Sequence, residues 1–166
     1  FIFEDVALPD GNIGSGGILC IQYWYGDLDI HNGVATYLAN NSSDKFISGK
    51  TNIRTAATLK TVLGTSISGL AVSNISGAGK FVLANTDTNS ILNITGDNSG
   101  FSGNVDIQRG ILAYTQSAND KFFYASQISI SENGTLDYTT NDSASLSPIT
   151  GMGTLVKNGS GTVNLT

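Results

Sequence analysis

The sequence predicts an all-β chain folded as a single-stranded parallel β-helix, a solenoid of about seven or eight coils of roughly 20–25 residues each. Three observations point there. The first is an internal repeat. Ile75-Ser76-Gly77-Ala78-Gly79-Lys80-Phe81-Val82 returns as Ile149-Thr150-Gly151-Met152-Gly153-Thr154-Leu155-Val156, and Leu92-Asn93-Ile94-Thr95 returns as Val163-Asn164-Leu165-Thr166. The first pair is offset by 74 residues and the second by 71. Fixed strands joined by turns of free length behave that way. The second is Asn and Gly in almost every turn, since both accept left-handed backbone at tight corners. The third is low charge: only 13% of residues are Asp, Glu, Lys or Arg. Coils stack like residues at roughly 4.8 Å spacing. Like charges repel there, whereas Asn, Ser and Thr hydrogen-bond and Ile or Val bury one another.

Composition sets the outer bounds. The 166 residues include 20 Gly, 19 Ser, 17 Thr and 16 Asn, but 40% are apolar. That apolar share suffices for a core and argues against disorder. The length fits one domain. A net charge of −5 argues against nucleic acid and anionic membrane surfaces as partners. One cysteine, Cys20, excludes an intrachain disulfide framework. It lies in the apolar run Ile18-Leu19-Cys20-Ile21, where a buried, inert thiol is expected. No apolar run is long enough for a transmembrane helix, and the opening residues do not read as a signal peptide. The chain opens on Phe1 and closes mid-pattern at Thr166, so we expect one β-helical segment, 1–166, of a longer protein.

Taken in order, Pro9-Asp10-Gly11-Asn12 is a turn signature. Gly14-Ser15-Gly16-Gly17 is followed by neither Lys-Ser/Thr nor a helical pattern, which speaks against a phosphate loop. Tyr23-Trp24-Tyr25 is an aromatic cluster, and Asn32-Gly33 is the strongest two-residue turn signal. Residues 40–44 read as a polar loop. The window Ile53–Leu63 tolerates a helical face, yet its threonines favour strand, so strand is preferred. Short strands are expected near 80–83, 91–95, 104–107 and 111–114. Residues 116–127 read as a polar insertion carrying Phe122 and Phe123. Ile128-Ser129-Ile130 alternates, Asn133-Gly134-Thr135-Leu136 is turn then strand, and 139–147 is polar. Sandwich and barrel share this rhythm of short strands; the repeat, the Asn and Gly corners and the low charge favour the solenoid.

One resemblance follows from two stretches. Gly151-Met152-Gly153-Thr154-Leu155-Val156-Lys157-Asn158-Gly159-Ser160-Gly161-Thr162-Val163-Asn164-Leu165-Thr166 is similar to the first half of the passenger-associated repeat of bacterial autotransporters. That repeat runs Gly-x-Gly, apolar pair, Lys-x-Gly-x-Gly, Thr-Leu-x-Leu. Phe101-Ser102-Gly103-Asn104-Val105-Asp106-Ile107-Gln108-Arg109-Gly110-Ile111-Leu112 resembles its second half. With Gly77, Gly79, Phe81 and Val82 the likeness covers about 75–166. Residues 84–90 depart from it, lacking Lys-x-Gly-x-Gly, and 116–148 is irregular.

The resemblance implies a right-handed β-helix exported to the bacterial cell surface through its own C-terminal outer-membrane barrel, which lies outside this chain. It implies a stalk, an autochaperone-like folding core, or a surface for adhesion and virulence. The implied partners are that barrel and a host-cell surface protein or glycan. Gly77, Gly79, Gly103, Gly110, Gly151, Gly153, Gly159 and Gly161 are then structural repeat positions. Gly79, Gly110, Gly153 and Gly161 are expected at equivalent corners, Gly153 with positive φ. Phe81, Ile91, Ile107, Ile111, Leu155 and Val163 are expected as core ladders. We expect 75–166 to be the most regular part and 1–50 the least.

Parallel β-helices also carry carbohydrate-active enzymes and phage tailspikes, which form the alternative. Glycoside hydrolysis wants two carboxylates flanking a cleft. The close pairs Asp27/Asp29 and Asp137/Asp142 fit solvated surface better. His31, beside the Asn32-Gly33 turn, is expected as an exposed turn residue. No His/Cys cluster suggests a metal, no calcium loop appears, and no serine elbow is found. No catalytic residue and no cofactor are expected. Tyr23, Trp24 and Tyr25 remain the one candidate contact surface, because amphipathic aromatics stack on sugars and anchor interfaces. The competing reading puts Tyr23 and Tyr25 into the core.

Overall fold

The computed structural model describes residues 18–21, 27–41, 49–118 and 121–166. Among these there are fifteen strands and no helix. In chain order the strands are β1 (Ile18–Ile21), β2 (Leu28–Ile30), β3 (Gly33–Ala39), β4 (Thr51–Ile53), β5 (Ala57–Leu63), β6 (Leu70–Ser73), β7 (Ile75–Ser76), β8 (Lys80–Ala84), β9 (Ile91–Thr95), β10 (Asn104–Thr115), β11 (Gln127–Thr139), β12 (Ala144–Leu146), β13 (Ile149–Gly151), β14 (Thr154–Asn158) and β15 (Val163–Leu165). Every pairing between them is parallel.

The strands build three ladders. The first runs β1-β3-β5-β8, the first half of β10, the first half of β11, then β13. The second runs β6-β9, the second halves of β10 and β11, then β14. The third holds β2-β4-β7 and, further along, β12-β15, with bridges Gly77↔Phe101 and Asp97↔Lys121 between. Seven levels on the first ladder make six turns among the described residues. The turns that follow β3 take 19 to 24 residues, as in Leu136↔Leu155 and Val34↔Thr58.

Period-2 alternation chooses which residues face inward. β5 alternates without a break between buried and half-buried positions, so Ala57, Leu59, Thr61 and Leu63 point in. The helical option for 53–63 fails because five β-branched residues, Ile53, Thr55, Thr58, Thr61 and Val62, stiffen χ1 and fit a pleated surface better. The inward positions stack in register. Ala35, Leu59, Phe81, Val105, Ile128 and Ile149 form one column. Leu70, Leu92, Leu112, Leu136 and Leu155 form a leucine column on the second ladder. Each fully buried leucine contributes about 1.5–3 kcal/mol relative to exposure.

The core differs from the sequence expectation at several points. Ile91 and Ile111 are paired with each other but half-buried on the outer side, while Leu92, Ile94 and Leu112 fill the interior. An apolar Ile-Leu pair does not reveal its own phase, and a one-residue slip exchanges the faces. The stretch 116–127 is not a surface insertion. Phe122 and Phe123 are buried and join Phe81, Phe101, Tyr114 and Tyr138 in a continuous aromatic cluster with ring centroids 5.0–5.5 Å apart. The polar stretch 139–147 contains β12, whose Leu146 is buried. The expected strands 104–107 and 111–114 are one strand with an irregularity between Ile107 and Arg109.

The repeat also changes meaning. Ile75 to Val82 passes from the third ladder to the first, whereas Ile149 to Val156 passes from the first to the second. Leu92-Asn93-Ile94 lies on the second ladder and Val163-Asn164-Leu165 on the third. Both echoes are therefore shifted by one face beyond whole turns. The Gly-x-Gly motif marks a corner of any kind, not one corner of the coil. Gly79, Gly153 and Gly161 accordingly occupy three different corners, and only Gly110 shares the corner of Gly153, through Gly134.

Candidate functional site

Corners are where this chain places its polar chemistry. Inward strand positions are taken by apolar residues except for Thr51 and Thr61, so most buried hydrogen-bonding side chains collect where the backbone bends and its N–H and C=O groups leave the ladders. The eight repeat glycines Gly77, Gly79, Gly103, Gly110, Gly151, Gly153, Gly159 and Gly161 sit there. A Cβ added at any of them would collide with an atom of the preceding coil. Gly151 has φ +109°, whereas Gly153 does not adopt positive φ. Gly153 is required because its missing Cβ makes room for the Ile130 side chain and the Ser131 carbonyl, a steric rather than a conformational demand.

Three buried polar side chains then close the corners. Asn98 is fully buried; its Oδ1 accepts from the Ile75 N–H at 2.9 Å, and its Nδ2 donates to the carbonyls of Thr95, Gly96 and Lys121. Asn85 accepts from the Leu63 N–H at 3.0 Å and donates to the Ser90 carbonyl at 3.0 Å. Ser90 accepts from the Ile67 N–H and donates to the Gly64 carbonyl. Each links one coil to the next. Their residue types were legible as turn formers, but their burial was not.

The acidic candidates are also spent on coil-to-coil bonding. β2 and β4 pair Asp29 with Asn52, and buried Leu28, Ile30 and Ile53 turn both outward. Asp29 receives hydrogen bonds from Asn52 Nδ2 (3.0 Å), Arg54 Nε (3.0 Å) and Arg54 Nη2 (2.7 Å), and His31 Nε2 lies 3.1 Å away. The hydrogen bond from Arg54, with its charge, holds the Asp29 carboxyl below the usual range. A carboxylate with all its lone pairs engaged is a poor acid or base. His31 is half-buried and paired rather than a free turn residue. Asp27 accepts from the Lys50 N–H at 2.8 Å, and Asp137 accepts from Asn158 Nδ2 at 2.9 Å. Asp87 and Asp97 are likewise lowered, first by hydrogen bonding from Ser90 and Ser99 respectively and then by further backbone N–H groups.

A shallow groove of about 170 Å³ opens on the outer side of the first ladder. Lys80, Asn104, Val105, Asp106, Gln127 and Ser129 line it. Lys80 Nζ lies 2.8 Å from Asp106, which also accepts from Gln108 at 3.0 Å. The groove holds a single carboxylate, already neutralised. Among the described residues no group of three His, Cys, Asp or Glu side chains converges. The side chain of Cys20, the aromatic cluster Tyr23, Trp24, Tyr25 and the turn 9–17 lie outside the described residues. Compared with protein-family models, with characterised proteins and with solved structures, the chain finds no match.

Proposed function

We propose that this chain is a scaffold: a β-helical stalk and folding core from a bacterial surface-displayed passenger, not an enzyme. The observation that carries the reading is the use made of polar side chains. Asp27, Asp29, Asn85, Asn98 and Asp137 each bond across to a neighbouring coil, so these side chains are spent on holding coils together rather than on a cleft. Their chemistry is turned to holding turns in register, which suits a load-bearing column. Six turns at roughly 4.8 Å give a stack roughly 30 Å tall. The autotransporter part of the reading rests on the likeness of 101–112 and 151–166 to the passenger-associated repeat. In that setting the partner is a C-terminal outer-membrane barrel, and a host-cell surface protein or glycan is the adhesive target.

Secretion tests it. Fused upstream of an autotransporter barrel in a bacterium, the chain is expected at the cell surface as a protease-resistant fold. Retention in the periplasm, or turnover of a polysaccharide that Asp29→Asn or Asp106→Asn abolishes, would overturn the proposal.

A further inference from the structure

The chain contains three Asn-Gly dipeptides: Asn32-Gly33, Asn133-Gly134 and Asn158-Gly159. Such a dipeptide has an intrinsic reactivity, because no side chain shields the glycine nitrogen. The structure treats the three differently. Gly33, with φ +79°, turns its N–H onto its own predecessor: the Gly33 nitrogen lies 2.8 Å from Asn32 Oδ1. That oxygen is bonded to Cγ, so nucleophilic nitrogen and electrophilic carbon are held side by side. Asn32 and Gly33 are half-buried, so water reaches them. Asn133 and Gly134 lie inside β11, paired with Arg109 and Gly110. Gly134 sits buried at the bend between the two halves of β11, where a Cβ would run into the Ile107 carbonyl of the coil before, so ring closure there requires the coils to part. Asn158 ends β14, and its Nδ2 is held outward by Asp137 Oδ1 at 2.9 Å.

We propose that Asn32-Gly33 is a built-in site of spontaneous covalent modification, cyclising to a succinimide and opening to isoaspartate. The Gly33 nitrogen attacks Asn32 Cγ and forms an N–C bond. The Cγ–Nδ2 bond breaks, and the amide leaves as ammonia, carrying the proton that the nitrogen loses. Water then adds to either ring carbonyl and breaks one C–N bond, giving aspartate or isoaspartate; no electrons are transferred. Isoaspartate routes the backbone through one extra methylene at the corner between β2 and β3. Either product adds a carboxylate next to His31, the residue paired with Asp29. The modification is a one-way change at the corner that ties this coil to the next through Arg54.

Peptide mapping by mass spectrometry, with isoaspartyl-methyltransferase labelling, tests this on the intact chain incubated warm at mildly alkaline pH. Asn32 is expected to convert on the order of ten-fold faster than Asn133 or Asn158, because its carboxamide is kept beside the nitrogen it reacts with. In concentrated urea the three rates are expected to converge. Conversion at Asn32 no faster than at the other two in the folded protein would overturn the proposal. So would an unchanged preference in urea, since it would then belong to local sequence. Asn32→Gln, whose longer side chain needs a six-membered ring, should retain the circular dichroism spectrum and lose the label; a label that persists in it would place the reaction elsewhere.

Discussion

Asn98 shows how one side chain substitutes for backbone. At a buried bend a single carboxamide serves the N–H of Ile75 and the carbonyls of Thr95, Gly96 and Lys121, the last two of which also accept from the backbone N–H groups of Lys121 and Asn98 respectively. Leaving one buried polar group unsatisfied costs roughly 1–3 kcal/mol. Asn98→Ala removes both ends of the carboxamide at once, and we expect a loss of about 3 kcal/mol by urea unfolding. Asn93 is the control: half-buried, it donates one bond to the Leu70 carbonyl at 3.0 Å. Asn93→Ala should cost about 1 kcal/mol. Equal losses for the two would mean that Asn98 is not a structural plug. The same logic explains why Asn is so frequent here: its amide mimics a peptide unit and pairs with either half of one.

At the scale of the element, the unit is the corner. Gly103 illustrates it, for a Cβ there would run into the carbonyl of Gly79 on the coil before, and nothing flexible can yield. Gly69 offers the contrast, with φ +83° but open space where its Cβ would go. Gly103→Ala must push two coils apart, so its cost falls among the exceptional losses above about 4 kcal/mol. Gly69→Ala pays only backbone strain, about 1–2 kcal/mol. Thermal unfolding of the two variants orders them, and a Gly103→Ala variant as stable as Gly69→Ala would refute the close-packing argument. Corners were also what the sequence showed best. Gly77, Gly103 and Gly151 announced turns, and the threonines of Ile53 to Leu63 and the alternation of Ile128-Ser129-Ile130 announced strands. Which ladder a strand joins was not legible, because all three ladders use the same short apolar-x-apolar unit. Hence the recurrence of Ile75–Val82 at Ile149–Val156 looked like whole turns and is whole turns plus one face. Phe122 and Phe123 were obscured by polar neighbours for a related reason: a strand-poor coil segment still contributes side chains to the interior. The Asp29 cluster escaped notice because Arg54 and Asn52 are far along the chain and only the turn length brings them opposite.

For the molecule as a whole, stability follows from stacking, since each coil buries its interior only against the coils beside it. Levels with a coil on both sides should therefore outlast a level with a coil on one. Most fully buried side chains belong to levels between Ile30 and Leu146, including Leu59, Phe81, Phe101, Ile107 and Leu136. The level formed by β13, β14 and β15 pairs on one side only. Its inward Leu155 and Val163 are only half-buried, Leu165 is 59% exposed and Met152 82%. Local opening free energies range from near zero at such edges to the global value in the core. Amide hydrogen exchange should accordingly be slowest across β5 to β11, residues 57–139, and fastest among the strands at the two edge levels, β1 and β13 to β15. The repeat motif alone orders them otherwise, since 149–166 carries its fullest match and would be expected among the best protected. Packing predicts that motif quality and protection part company there. Protection in β14 equal to that in the second half of β11, its parallel partner from Thr135 to Thr139, would show that sequence regularity outweighs having neighbours on both sides.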